Sequence, residues 1–172
     1  MYPRAAVATT VQLVDPSSDA LHKYLLVQRA NPPDQGKWSI PGGKIELGET
    51  TLQAAQREIL EETNIPPSMC QWHPDPFMTT DAIIEQAGPR QQSPTQYAFH
   101  YVIAQCFARI SVENGDESVV ALTPSDDALD AKWFSLTEIE ALEETKEASK
   151  GVVKVIERAE QLSKLGAFEL LD

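Results

Sequence analysis

Residues 43–65 read GKIELGETTLQAAQREILEETNI, and the spacing of the glycine, arginine and glutamates in that stretch decides how the rest of the chain is read. Thr50 followed by Gln53 three positions later is a capping-box pattern, so a helix is expected from Thr50 to about Thr63. Leu52, Ala55 and Ile59 form its core-facing stripe. Asn64 tolerates the left-handed backbone that closes a helix, and Pro66-Pro67 cannot continue one. At about 100° per residue, Glu58, Glu61 and Glu62 fall on one arc, expected beside the apolar stripe rather than on it. Like charges three and four positions apart repel by a few tenths of a kcal/mol per pair, so a cation is expected among them. Oxygen ligands without His or Cys suit a hard ion, Mg²⁺ first and Mn²⁺ as the alternative.

Upstream, Ala5 to Val14 and Lys23 to Arg29 (KYLLVQR) read as strands flanking a turn at Asp15-Pro16-Ser17-Ser18. Asn31 to Gly36 is a loop by composition, and Trp38-Ser39-Ile40 is a short strand leading into Pro41-Gly42-Gly43. Downstream, Gln71 to Glu85 reads as a strand in two pieces broken by Pro74 and Pro76, and Gln86 to Thr95 reads as a loop. Tyr97 to Ile110, YAFHYVIAQCFARI, carries the strongest strand pattern in the chain. A hairpin at Asn114-Gly115 is expected to return Val119 to Leu122 as a pairing strand. Ala131 to Phe134 reads as a last strand, with helices at Thr137 to Leu142 and Glu147 to Leu165. Strands and helices mix without strict alternation, which predicts an α+β fold: an α/β/α sandwich around a mixed β-sheet.

The chain has 172 residues, enough for one domain spanning 1–172 with one core. Fourteen basic against 26 acidic side chains leave a net charge of −12, which disfavours duplex nucleic acid and anionic membranes. Cys70 and Cys106 are far apart and suggest buried thiols, neither a zinc site nor a disulfide framework. No run approaches the ~18 apolar residues of a membrane span, and a cytoplasmic protein is expected.

The 43–65 stretch resembles the Nudix box, G-x5-E-x7-R-E-U-x-E-E-x-G-U with U aliphatic. Gly43, Glu49, Arg57, Glu58, Ile59, Glu61, Glu62 and Ile65 fill its positions, and Asn64 stands where the pattern has glycine. With YLLVQR, GKWSIPGG and the DDALDAKWFSLTEIEAL segment, the chain is similar to the ADP-ribose pyrophosphatase-like Nudix hydrolases of bacterial type. That resemblance implies a Nudix fold and Mg²⁺-dependent hydrolysis of a nucleoside diphosphate linked to another moiety, with ADP-ribose or a related nucleotide sugar first. A (d)NTP pyrophosphohydrolase is the alternative, and a noncatalytic nucleotide-binding domain a third. It places metal on Gly43, Glu58, Glu61 and Glu62. Catalysis falls to Glu61, then Glu58, with Arg57 orienting the carboxylates by ion pairing and Glu49 reaching a metal or pairing with Arg57.

Arg29, Gly42 and Tyr97 are the substrate-binding candidates, and a homodimer is the expected assembly if the chain self-associates. Asp127 or Asp130 could add a further acid, against a plain acidic turn with Asp126 as a helix N-cap. Trp38, Phe99, Tyr101 and Trp133 read as core aromatics, and Phe77 joins Tyr97 as a stacking candidate.

Overall fold

A computed structural model describes residues 2–85, 97–114 and 116–171, with 19–21 described by backbone alone. The loop expected at Gln86 to Thr95 and the glycine of the Asn114-Gly115 turn lie outside the described residues. In chain order the strands are β1 (Arg4–Asp15), β2 (Ser18–Arg29), β3 (Trp38–Ser39), β4 (Gln71–Trp72), β5 (Met78–Glu85), β6 (Tyr97–Ser111) and β7 (Ala128–Phe134). The helices are α1 (Thr51–Thr63), α2 (Leu136–Glu144) and α3 (Val152–Lys164).

All seven strands join one mixed sheet. Its spine is β3-β2-β1-β6-β4, with β5 paired to β6 and β7 to β2. Parallel pairing occurs between β1 and β6, from Arg4↔Tyr101 to Val14↔Ser111, and the named pairs elsewhere are antiparallel. The tight β1–β2 hairpin is fixed by Asp15, whose Oδ1 accepts from the Ser17 amide at 2.8 Å and the Ser17 hydroxyl at 2.6 Å.

The two-residue side-chain period sorts β2 between two cores. Leu25 and Val27 join Val7, Val11 and Leu13 against Ala54, Ala55 and Ile59 of α1. Tyr24 and Leu26 turn the other way and pack with Trp38, Ile139 of α2, and Val152 and Ile156 of α3. Helices on both faces make the expected α/β/α sandwich. Trp38 is held edge-on to Phe134, ring centroids 4.9 Å apart, in the second core.

Four expectations are corrected. Val119 to Leu122 does not return as a strand; Glu117–Val119 is a 3₁₀ turn whose start is capped by Asp116, which accepts from the Ser118 amide at 3.0 Å. The last helix begins at Val152, after Gly151 at φ 91°, because residues 147–149 run along β3 instead: Trp38 donates to the Glu147 carbonyl and accepts from Ser149, both at 2.8 Å. Asp126 caps no helix; it turns the chain at φ 53° just before β7. On α1, Glu58 and Glu62 are buried along with Ala54, Ala55 and Ile59, while Leu52 is only partly covered. The acidic arc overlaps the apolar stripe.

Candidate active site

Helix α1 is cut to length by its ends. Thr50 accepts from the Gln53 amide and Gln53 accepts from the Thr50 amide, closing the capping box, and Asn64 closes the other end at φ 60°. Arg57, midway, is the hub of the site. Its Nε and Nη2 grip the two oxygens of Glu49 at 2.7 and 2.9 Å, and Nη2 also reaches the Lys44 carbonyl at 2.9 Å. Nη1 bridges Glu58 Oε1 at 2.8 Å and Glu61 Oε2 at 2.9 Å. The fork geometry of guanidinium suits this bidentate grip on Glu49. One cation thus ties the Gly43–Glu49 loop to the helix, and it holds the Glu49 carboxyl down at about 2.

The glycine turn lies against the start of β1. Val7 donates to the Gly43 carbonyl at 2.9 Å and Thr9 to the Pro41 carbonyl at 2.8 Å. A Cβ on Gly42 would fall 2.2 Å from the Val7 carbonyl oxygen, and one on Gly43 would fall 2.4 Å from Glu58 Oε1. At Gly42, against backbone, only glycine permits that approach; at Gly43 a side chain would have to displace the Glu58 carboxylate. The Gly42 amide donates to Glu62 Oε2 at 2.9 Å, so this donor is spent on the helix rather than left free for a ligand. Burial pushes the Glu62 carboxyl up to about 8 against the Gly42 amide and the Arg29 charge, which pull it down. Glu58 is raised as well, by burial first, with Arg57 opposing and the charges of Glu61 and Asp126 adding to the rise.

Segment 123–127 is laced to the end of α1. Thr123 donates to the Thr63 carbonyl at 3.0 Å, Ser125 to the Glu62 carbonyl at 3.2 Å, and the Ser125 hydroxyl bonds the Glu61 carbonyl. That lacing brings Asp126 and Asp127 within electrostatic reach of Glu58 and Glu62. Asp127 is engaged by the Asn31 amide nitrogen at 2.6 Å, while Asp130 turns away to Lys132 at 2.6 Å. Ser125 and Asn31 were not among the sequence candidates; their partners are distant in the chain and no local pattern marks them.

Arg29 ends β2 beside this cluster and donates through Nε to the Pro33 carbonyl at 2.8 Å. Tyr97 is not brought to the carboxylates. It begins β6 seven positions before Ala104, the partner of Val7, which is about 23 Å along the strand. Phe77 is engaged edge-on by Phe168 at 5.7 Å.

Among the described residues, no three His, Cys, Asp or Glu side chains converge as placed into a group that would hold a metal ion. Arg57 draws Glu58 and Glu61 one way, while Gly42 holds Glu62 another. In chemistry the donors still fit a hard divalent cation: two buried carboxylates whose protonation is favoured by burial, the half-exposed Glu61, and the Gly43 cradle against Glu58.

Residues 4–156 match the NUDIX domain. The chain belongs to the Nudix family. An ADP-ribose pyrophosphatase of Methanocaldococcus jannaschii is 41% identical over 69 residues, covering 40% of this chain and 38% of that one. The chain spans less than two fifths of the length of the first curated relatives it matches. Among solved structures, the Nudix domain of Shewanella oneidensis NrtR, complexed with ADP ribose, superposes with a TM-score of 0.65 at 21% identity, covering 94% of this chain and 88% of that one. A Francisella tularensis bifunctional NMN adenylyltransferase/ADP ribose pyrophosphatase, complexed with AMP and a Mn ion, superposes at 0.62 and 21% identity, over 93% of this chain and 42% of that one. At these identities the likeness establishes the Nudix fold. No described helix is long and apolar enough to cross a membrane.

Proposed function

We propose that this Nudix chain hydrolyses the diphosphate linkage of a nucleoside diphosphate bound to a second moiety, ADP-ribose or a related nucleotide sugar, releasing two monophosphates. The observation that carries the reading is the pair of buried carboxylates, Glu58 and Glu62, set against Gly42–Gly43 with Arg57 beside them. Buried acids in a glycine-lined turn are costly for stability alone and are the arrangement a cation-assisted phosphoryl site requires. Glu58, Glu61, Glu62 and the Gly43 carbonyl would hold Mg²⁺. When bound, the metal supplies positive charge against the diphosphate oxygens.

The chain's own groups do the rest. Glu61 is the most exposed of the three acids, with 44% of its side chain open, and is assigned as the base that takes a proton from the attacking water; Glu58 is second. Arg57 positions Glu58 and Glu61 from its anchor on Glu49. Arg29, whose charge reaches Glu62, is assigned to a phosphate of the substrate. The likeness to an ADP-ribose pyrophosphatase supports ADP-ribose as the first substrate to test.

The test incubates the protein with ADP-ribose, GDP-mannose, NADH, dinucleoside polyphosphates and dNTPs, with and without Mg²⁺ or Mn²⁺, and identifies products. AMP and ribose phosphate from ADP-ribose support the proposal. Pyrophosphate from dNTPs would replace the substrate class, and no turnover with either metal would sink the hydrolase reading. Glu61→Gln should lower kcat by about 10²-fold or more with little change in Tm.

A further inference from the structure

We propose that Phe99 and Tyr101 are the two jaws of a slot for the base of a mononucleotide, with Arg4 on its phosphate, at a site separate from the carboxylates of α1. Pairing between β1 and β6 begins at Arg4↔Tyr101, so the first residues of β6 run past β1 with β5 alone beside them. Strand alternation sets Phe99 and Tyr101 on the face of Phe107, opposite α1. His100, between them, turns to the other face, where its Nε2 meets Asp81 at 3.1 Å. Phe99 is not the core residue expected of it; it is 38% exposed.

Two positions along a strand advance the chain by roughly 6.7 Å. The two rings follow that spacing, with centroids 6.3 Å apart and 22° between their planes. This is close to twice the ~3.4 Å separation of stacked bases, so a slight opening admits one planar ring between them. A hollow of about 140 Å³ lies there, lined by Tyr2, Arg4, Ala98, Phe99, His100 and Tyr101. A cavity of ~150 Å³ holds a single benzene ring. Tyr2, 91% exposed, leaves one side open for the rest of a larger base. Stacking on aromatic side chains is worth about 5- to 150-fold in affinity per base and tolerates any base, because each has a π-face.

Charge selects the ligand further. Arg4 stands beside Tyr101 in register, on the same face, and has no hydrogen-bond or ion-pair partner among the described residues. Its guanidinium fork matches the oxygens of a phosphate. A net charge of −12 opposes a polynucleotide, whose many phosphates would meet it, whereas a mononucleotide brings one phosphate to one arginine. Arg4 lies three positions from Val7, the residue bonded to Gly43, which is about 10 Å along β1. With the carboxylates on the other face of the sheet, occupation of the slot depends neither on their metal nor on the proposed hydrolysis.

Calorimetry on the full chain in chelator at low salt tests the slot, with AMP, adenosine and inorganic phosphate as separate probes. AMP should bind in the millimolar range or tighter, adenosine more weakly, and phosphate without measurable heat. Phe99→Ala should weaken AMP binding by about 5-fold or more. Arg4→Gln should weaken it by about 10-fold. Val102→Ala, on the opposite face of the same strand and 42% exposed, should leave it unchanged, and so should Glu61→Gln. A wild-type chain that binds no AMP overturns the proposal. So does AMP binding indifferent to both Phe99→Ala and Arg4→Gln, phosphate binding as tight as that of AMP, or binding lost in Glu61→Gln alone, which would seat the nucleotide at α1. Turnover is not measured here, so the slot and the hydrolase reading stand or fall separately.

Discussion

A methyl group on Gly43 would stand 2.4 Å from Glu58 Oε1, inside any permitted contact, so alanine there must push the carboxylate away. Gly43→Ala should therefore weaken Mg²⁺ binding by about 10-fold or more in calorimetry, as loss of a positioned ligand does. Its Tm should change little, because the displaced Glu58 is itself costly to bury. Glu62 makes a second prediction at this scale. Its folded pKa is raised from the usual 4.5 to about 8, so the stability tied to its protonated form is complete below 4.5 and is lost as pH rises through 8. In chelator, Tm should fall between pH 5 and 8. Added Mg²⁺ should raise Tm more at pH 8 than at pH 6, and Glu62→Gln should flatten both trends. A metal-induced Tm gain larger at pH 6 than at pH 8 would defeat this account. The positions of Glu58, Glu61 and Glu62 were legible because helical spacing alone places them on one arc. That Glu62 is tied to the Gly42 amide, 20 residues back, was not, since the bond depends on how loop and helix pack.

At the scale of the element, α1 carries the proposed site, and its ends hold it in register with the glycine turn. Thr50→Ala removes the acceptor for the Gln53 amide and should cost about 1 kcal/mol, a Tm loss of roughly 2–4 °C in thermal unfolding. Asn64→Gly, at φ 60°, should be close to neutral, because glycine relieves the left-handed backbone and loosens the unfolded chain by similar amounts. The capping box and the Asn64 stop were readable because each is a local bond pattern with a local signal. The 147–149 segment was not. Glu147 and Ala148 are helix formers and carry no mark of the bonds that the Trp38 backbone makes with Glu147 and Ser149; the left-handed Gly151 precedes the helix that follows. The same limit explains Val119 to Leu122, where a turn capped by Asp116 displaced the expected strand.

Across the whole molecule, two cores share one sheet, and the described chain ends by closing the sheet's β4 edge. Leu171 donates to the Trp72 carbonyl at 2.8 Å, and the His73 ring donates from Nδ1 to the Glu169 carbonyl at 2.9 Å. Between them Phe168 lies flat on Phe107 at 3.8 Å and meets His73 and Phe77 edge-on. Residues 165–171 have no strand periodicity, so this clasp could not be foreseen; its partners lie some 60 to 100 positions earlier in the chain. Phe107 is fully buried, whereas Phe168 keeps some exposure, so truncating Phe168 removes less than a full core aromatic. Phe168→Ala should cost about 2–3 kcal/mol, below the 3–5 of a fully buried ring, and lower Tm by roughly 5–10 °C. The carboxylates of α1 lie on the opposite face of the sheet from Phe107, so catalytic constants measured well below the new Tm should stay near wild type. A Tm unchanged within error would show that the tail merely rests on the sheet edge, and a selective loss of kcat would show that it reaches the site.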